Sequence, residues 1–208
     1  MPHPTAEQFS ERFEMGLMLD HLWGETMGLP VDDKERVLAR LIEVLEGEGV
    51  PYAVMGGVAV QLYTEEPRTT ADLDIALHDR ADVPGGSLER AGFMFDGSYV
   101  WSDNWRAPAP AGTARRARIA VQFSADRLMS ASVDRAVVVR AGELSFPLVT
   151  MEDLIQLKLA AAEEPKRRAS KRNQDVTDVT RLLEEHPELG SGEIRRRVRA
   201  VKLGLLDA

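Results

Sequence analysis

The sequence has 208 residues, of which 44% are hydrophobic and 29% are charged, and it contains no cysteine. A chain of this length and apolar content buries a core as one large domain or two small ones, which excludes disorder of the whole chain. The absence of cysteine excludes disulfide scaffolds, thiolate zinc sites and thiol nucleophiles. Because the sequence has neither a secretory signal pattern nor a long apolar run, we expect a soluble cytoplasmic protein with no membrane partner.

Charge is distributed unevenly along the chain. The net charge is −8, but residues 1–100 carry 19 acidic and 7 basic side chains, whereas residues 101–208 carry 15 acidic and 19 basic ones. The acidic first half argues against nonspecific binding of nucleic acid by the whole chain. The basic clusters of the second half are either a local site for a polyanion or solvated helix faces and loops.

The first fifty residues predict two helices. Apolar residues recur at helical spacing from Ala6 to about Met27, where Gly28-Leu29-Pro30 interrupts the pattern. A second apolar stripe follows a helix cap at Asp32 or Asp33. We therefore expect an N-terminal helical segment over residues 1–50.

Residues 51–150 predict an α/β core, because short apolar or alternating runs are separated by helical patterns and glycine turns. The predicted elements are a strand at 52–55, a helix at 57–63, a strand at 72–77, a short helix at 87–91, a strand at 93–95, a strand at 118–124 and a hairpin at 136–140 and 144–149. Residues 97–112, with two tryptophans and two prolines, predict an irregular segment.

Residues 151–208 predict a helical C-terminal segment packed on the core. Thr150 is the expected cap of a helix that ends at Pro165, and a second helix begins near Ser170. A short basic helix at 191–201 completes the segment. The expected fold class is therefore α/β (α+β).

The most informative residues are a glycine pair and an aspartate pair. Asp72 and Asp74 stand two apart on a predicted strand, so both carboxylates lie on one face, where such a pair binds hard cations such as magnesium. Gly56-Gly57 lies where a strand gives way to a helix, which lets the backbone and its N–H groups approach a phosphate. Each element alone is more typical of an ordinary turn or surface strand. Together they favour a site for a metal-chelated triphosphate.

The order of strand, Gly-Gly, helix, Arg-Thr and Asp-x-Asp over residues 52–77 resembles the nucleotidyltransferase superfamily, whose members share a polymerase-β-like fold. The resemblance implies a mixed sheet flanked by helices. It also implies that the glycine pair holds the phosphates of a nucleoside triphosphate and that the two aspartates ligate two Mg²⁺ ions, which clamp the oxygens of a displacement at the α-phosphorus. Arg68 then either orients the turn or touches a phosphate, and Thr70 ties down the loop before the strand.

Two C-terminal stretches, Glu152 to Ala160 and Asn173 to Val179, resemble the AbiEii-type branch of toxin-related nucleotidyltransferases, some of which pair with antitoxins. Members typically carry a helical lysine and then two aspartates three residues apart, and Lys158, Asp175 and Asp178 occupy these places. The resemblance implies that Lys158 neutralises phosphate charge. A lysine that merely extends to solvent from an amphipathic helix is the alternative. The two aspartates hold the lysine, place the acceptor, or are solvated helix charges.

The sequence departs from the family at the third carboxylate, which normally sits on a neighbouring strand. The candidate strand is 118–124, and the face opposite its apolar side chains carries no acid. The family's acid is therefore replaced by Ala120 or Gln122. Gln122 still offers a carbonyl oxygen to the metal or nucleotide site but cannot act as a base. Asp126 or Asp103 is the candidate substitute.

The resemblance implies transfer of a nucleotide to a hydroxyl of RNA, including tRNA, or of a protein, with the basic C-terminal half gripping the acceptor and an antitoxin as a further partner. The alternatives are a catalytically impaired binding module and a small-molecule, aminoglycoside-type nucleotidyltransferase. Trp101 and Trp105 either stack on a base or anchor their loop in the core.

Overall fold

The computed structural model describes residues 4–26 and 34–205, which form a sheet of seven strands with helices packed around it. The helices of this part of the chain are α1 (Ala6–Thr26), α2 (Lys34–Gly47), α3 (Gly56–Tyr63), α4 (Gly85–Arg90), α5 (Arg127–Asp134), α6 (Met151–Glu163), α7 (Ala169–Glu185) and α8 (Gly192–Lys202). The strands are β1 (Tyr52–Met55), β2 (Asp72–Leu77), β3 (Met94–Ser98), β4 (Asp103–Arg106), β5 (Ala120–Ser124), β6 (Val137–Ala141) and β7 (Leu144–Leu148). Within these ranges, every helix is too short or too polar to form a transmembrane span.

The sheet is mixed, and its strand order is β3-β4-β5-β2-β1-β7-β6. β2 pairs in parallel with β5 and β1 pairs in parallel with β7, while the other neighbours are antiparallel. All four residues of β1 are buried, as its uninterrupted apolar run predicts for a central strand. The expected α/β architecture is thus confirmed.

The larger of two hydrophobic clusters in the described residues draws side chains from all three predicted segments. Phe13 and Leu41 enter it from the N-terminal helices, Ile75 and Phe123 from the sheet, and Leu182 from the C-terminal helices. Helices cover the sheet because each buries one apolar face against it. The same packing holds the ends of β1, β2 and β5 against α5 and α6, where the candidate site lies.

The irregular segment expected over residues 97–112 is wrong in part, because β4 lies inside it. Residues 103–106 are mostly polar, and they form a strand through pairing with β3 and β5. Arg106 is paired across the hairpin with Asp96, and only Trp105 is buried. Pairing with strands on both sides therefore decides this strand.

Helix α5 is not among the elements that the sequence predicts, although Asp126 caps it by accepting a hydrogen bond from the Met129 amide at 2.8 Å. The expected stop at Gly28-Leu29-Pro30 and the expected cap at Asp32 or Asp33 lie outside the described residues.

Candidate active site

The two aspartates of β2 lie on one face of the strand, as predicted. Leu73 and Ile75, which alternate with them, are fully buried. In the antiparallel pairing with β1, Asp74 stands opposite Met55, the last residue before the glycine pair. The strand register therefore brings the acid pair to the bend between β1 and α3.

Positions 56 and 57 require glycine, because a side chain there would collide with the aspartate pair or with the loop before β2. Gly56 has a φ of +66°, and a Cβ at this position would lie 1.9 Å from Oδ2 of Asp74. A Cβ on Gly57 would lie 2.1 Å from Oγ1 of Thr70. The Gly57 amide also donates a hydrogen bond to the Asp74 carboxylate. The bend thus seats Asp74 and the loop before β2, whatever it does for a phosphate.

Burial and the neighbouring charge of Asp72 raise the pKa of Asp74 above its ordinary value, although Lys158 and the Gly57 amide act in the opposite direction. A pair of carboxylates with this mutual repulsion favours a cation between them. The arrangement is therefore that of a site for a positively charged ligand.

Asp74 lines a cleft with a volume of about 370 Å³. Its walls come from the ends of β1, β2 and β5, the β3–β4 turn, α5, α6 and the start of α7. Asp74, Gln122, Asp126, Lys158 and Asp175 all line it. Residues from the core and from the C-terminal segment thus meet in one cavity.

Gln122 takes the place next to the aspartate pair. It stands opposite Asp74 in the parallel pairing of β2 with β5, and its Nε2 donates to Oδ2 of Asp72 at 3.1 Å. Ala120 pairs with Asp72 but has no polar side chain. Of the two positions that the sequence leaves open, Gln122 is the one whose side chain reaches the pair.

The two candidate substitutes for the missing acid are placed differently. Asp103 pairs with Arg80 and accepts from Ser98, and it does not line the cleft. Asp126 lines the cleft, and its Oδ1 is used by the cap of α5. Of these two candidate substitutes, Asp126 is therefore the one that lies in this cavity.

The donor set decides how many metal ions the residues suit. Two carboxylates and one amide provide ligands for a single hard cation, which takes oxygen ligands and keeps positions for water or substrate oxygens. In residues 4–26 and 34–205, no group of three or more His, Asp or Glu side chains is placed to hold a metal. The residues fit one Mg²⁺ ion, whereas the resemblance implies two.

Lys158 belongs to a buried network of charges at the edge of the cleft. Its Nζ lies 3.2 Å from Oδ1 of Asp175 and 2.8 Å from Oδ2 of Asp178. Arg167 binds the other oxygen of Asp175 at 2.6 Å, and Arg68 binds the other oxygen of Asp178 at 2.5 Å. Within this network, three cations thus share two carboxylates.

This network decides between the alternatives that the sequence leaves open. Lys158 does not extend to solvent, and Asp175 and Asp178 are buried acids that hold it. Arg68 is buried against Asp178, and it does not line the cleft, so it orients the loop before β2. Thr70 ties down the same loop, since its amide donates to Asp20 at 2.7 Å.

Solved structures provide the comparison with known proteins. A nucleotidyltransferase-like protein from Paracoccidioides brasiliensis is 20% identical, with a TM-score of 0.53 over 80% of this chain and 86% of the other. JHP933 from Helicobacter pylori is 15% identical, with a TM-score of 0.55 over 78% and 70% of the two chains. The antibiotic-resistance factor ANT(2'')-Ia is 12% identical, with a TM-score of 0.51 over 82% and 91%. No protein-family model and no curated protein matches the sequence.

The chain has a nucleotidyltransferase-like fold. This likeness agrees with the superfamily resemblance of residues 52–77, and it concerns the fold alone at these levels of identity. The AbiEii-type branch stays a prediction.

Within the nucleotidyltransferase-like fold, Lys171 is a cation near Asp74 to which the sequence assigns no role, and it does not line the cleft. It lies in the first turn of α7, close enough to Asp74 for its charge to lower the pKa of that acid. Among the described residues its ammonium has no carboxylate partner, unlike that of Lys158. Its place in a basic cluster is the only sequence signal.

A second buried network lies beneath the loop before β2, and the sequence does not reveal it. Asp20 of α1 accepts from the Lys34 ammonium and from the amide of Gln61. Lys34 also donates to the Thr70 carbonyl oxygen. Burial lowers the pKa of Lys34, although Asp20 opposes that effect. The N-terminal helices therefore help to fix the loop that leads to Asp72.

Proposed function

We propose that this cleft binds a nucleoside triphosphate together with Mg²⁺ and that the protein transfers a nucleotide from it to a hydroxyl group. The observation that carries the proposal is the seating of Asp74 beside Asp72 against the glycine bend, at a cleft that Lys158 and Arg167 also line. An acid pair and two cationic side chains in one cavity suit a metal ion and a polyanion together.

The residues divide the binding between them. Asp72 and Asp74 would hold the cation, and the carbonyl oxygen of Gln122 is the third available ligand. Lys158 and Lys171 would neutralise the phosphate oxygens, because an ammonium acts on phosphate as a compact point charge. The backbone of the glycine bend would approach the phosphates at the N-terminus of α3.

The transfer step is a displacement at the α-phosphorus. The acceptor hydroxyl oxygen forms the new bond to phosphorus, the bond to the β-phosphate oxygen breaks, and pyrophosphate leaves with the electron pair of that bond. When bound, Mg²⁺ supplies electrostatic stabilisation of the charge on the reacting phosphate. Of the two candidate substitutes for the missing acid, Asp126 lines the cleft and would accept the hydroxyl proton, which Gln122 cannot do.

A second candidate function is binding of the nucleotide without transfer. The neutral side chain of Gln122, hydrogen bonded to Asp72, favours it. An amide gives up one unit of negative charge beside the metal and removes a potential base. In this alternative the cleft retains its ligand, and the protein acts through a partner that recognises the bound state.

Binding is tested by the melting temperature with each of the four ribonucleoside triphosphates, with Mg²⁺ and with EDTA. We expect a Mg²⁺-dependent rise in the wild type that disappears in Asp72→Asn and decreases in Lys171→Gln. Glu89→Gln, which removes an exposed carboxylate on α4, is the matched control and retains the rise. Equal shifts in wild type and Asp72→Asn would exclude the site.

Transfer is tested by incubating the protein with α-labelled triphosphates and an acceptor. The acceptors are total RNA, total protein and an aminoglycoside, since all three retain the hydroxyl that the reaction needs. Label on an acceptor that depends on Asp72 and on Asp126 supports the enzyme, and binding without label supports the second candidate. For the RNA acceptor, Arg196, Arg199 and Lys202 form an exposed basic face on α8.

A role as a toxin with an antitoxin partner is the most specific form of the proposal. Its test is growth of cells that express the wild type or Asp72→Asn. The toxin role is supported if growth arrest requires Asp72 and if a protein encoded by a neighbouring gene relieves the arrest.

A further inference from the structure

The turn between β3 and β4 presents three consecutive apolar side chains to solvent. Tyr99 is 57% exposed, Val100 77% and Trp101 59%. Exposed apolar residues scattered singly are ordinary, whereas a run of three on one turn is unfavourable unless a ligand or partner covers it.

This turn is held in place by hydrogen bonds and an ion pair. The Tyr99 amide donates to the Ser102 carbonyl oxygen at 2.8 Å, and the Arg80 guanidinium donates to the Tyr99 carbonyl oxygen at 3.0 Å. Arg80 also forms an ion pair with Asp103, which follows the turn. The turn that carries Trp101 is therefore already ordered, so it loses little conformational entropy when a ligand contacts it.

The two tryptophans of the hairpin occupy different environments. Trp105 is 5% exposed and packs edge-on against Phe95, with ring centroids 5.3 Å apart, so it anchors the hairpin in the core. Trp101 lines the same cleft as Asp74. The sequence leaves two roles open for these tryptophans. Trp105 suits the role of an anchor, and Trp101 suits the role of a stacking platform.

The cleft has a charged part and an apolar part. Asp74 and Lys158 represent the charged part, while Leu128 and Met129 of α5 and Leu157 of α6 line the same cavity as Trp101. A ligand with a flat apolar ring at one end and phosphates at the other matches this distribution. Aromatic side chains stack well on nucleobases, whatever the base, because every base has a π-face.

We propose that Trp101 is the base-stacking residue of the cleft: the nucleobase of the triphosphate lies on its indole ring while the phosphates and the cation lie at the aspartate pair. This inference rests on the proposed function and adds a specificity-determining residue to it. Trp101 provides no base-specific hydrogen bond, so it favours nucleotides over phosphate compounds without a ring and discriminates weakly among bases.

The test compares two ligands, a Mg²⁺-nucleoside triphosphate and Mg²⁺-tripolyphosphate, which lacks base and sugar. Their dissociation constants are measured by calorimetry for the wild type, Trp101→Ala, Trp101→Phe and Trp23→Ala. Trp23 is 44% exposed on α1 and does not line the cleft, so Trp23→Ala is the matched control. Circular dichroism of each variant verifies folding.

We expect Trp101→Ala to weaken the nucleoside triphosphate about ten-fold and to leave tripolyphosphate unchanged. Trp101→Phe retains most of the affinity, because it keeps a ring, and Trp23→Ala changes neither ligand. Unchanged nucleotide affinity in Trp101→Ala, or equal losses for both ligands, overturns the stacking role and leaves the proposed function intact. If neither ligand binds the wild type, both proposals are overturned.

Discussion

Restoring a carboxylate at position 122 perturbs the acid pair in a calculable way. Gln122→Glu keeps the size of the side chain but replaces its Nε2 donor with a carboxylate oxygen. In the wild type this nitrogen lies 3.1 Å from Oδ2 of Asp72. The substitution therefore replaces a hydrogen bond with two like charges at close range, in a cleft that already contains Asp74.

The magnitude follows from that distance. Two unit charges about 3 Å apart repel by about 1 kcal/mol with the dielectric constant of water and by about 5 kcal/mol at an effective value of 20. Uptake of a proton limits the cost, because protonating a glutamate at pH 7 requires only about 4 kcal/mol. We therefore expect the variant to be less stable than the wild type by about 1–4 kcal/mol when no metal is present.

The assay is thermal unfolding at pH 7 with EDTA and with Mg²⁺. For a chain of this size the expected destabilisation lowers the melting temperature by about 3–12 °C in EDTA. Mg²⁺ should restore at least half of the loss, because the third carboxylate then becomes a ligand. The matched control, Gln174→Glu, adds the same charge at an exposed position of α7 and should show no Mg²⁺-dependent change.

Gln122→Met separates the effect of losing the hydrogen bond to Asp72 from the effect of adding a negative charge. It removes the hydrogen bond without adding charge, so its smaller loss of stability should be the same with and without Mg²⁺. A Gln122→Glu protein whose melting temperature and Mg²⁺ response equal those of the wild type would refute the placement of residue 122 beside the aspartate pair.

Three further predictions concern the support of the site. Gly57→Ala should lower the free energy of unfolding by about 2–4 kcal/mol, since its Cβ would lie 2.1 Å from Oγ1 of Thr70; urea unfolding measures this, and a neutral substitution would show that the bend relaxes freely. Asp178→Asn should lower the free energy of unfolding in urea by about 3–5 kcal/mol, because it leaves two cations without their shared buried carboxylate. A decrease below about 1 kcal/mol would argue against the buried network. The Arg80 guanidinium holds the pKa of Asp103 below its ordinary value. This pair therefore stabilises the fold above about pH 4 and loses its effect as the pH falls through the lowered pKa. Asp103→Asn should accordingly be about 1 kcal/mol less stable than the wild type at pH 7, with the difference disappearing in acid; a constant difference across the titration would contradict the assignment.

Much of the fold was predictable because it depends on local periodicity. The apolar run of β1 and the alternation of β2 and β5 are properties of a few neighbouring residues, and burial preserves them in the structure. β4 was not predictable in this way. Its residues are mostly polar, and the strand exists because β3 and β5 provide pairing partners on both sides.

In the candidate site too, local features were predictable from the sequence and tertiary contacts were not. Asp72, Asp74 and the glycine pair are recognisable from spacing and order, because two residues of separation on a strand always mean one face. The burial of Lys158 between two aspartates was not recognisable, since a lysine on an amphipathic helix has the same local pattern whether or not α7 supplies acids to it.

By itself, the sequence determined the face on which the acid pair lies, the bend that adjoins it and the lack of an acid on the neighbouring strand. Tertiary structure alone decided which cations are paired with buried carboxylates and that Lys171 has no such partner among the described residues. It also decided that Asp126 lies in the cleft and Asp103 does not, and that Trp101 lines it. The physical reason is that backbone geometry is local, whereas electrostatic pairing and burial depend on side chains that packing brings together from distant parts of the chain.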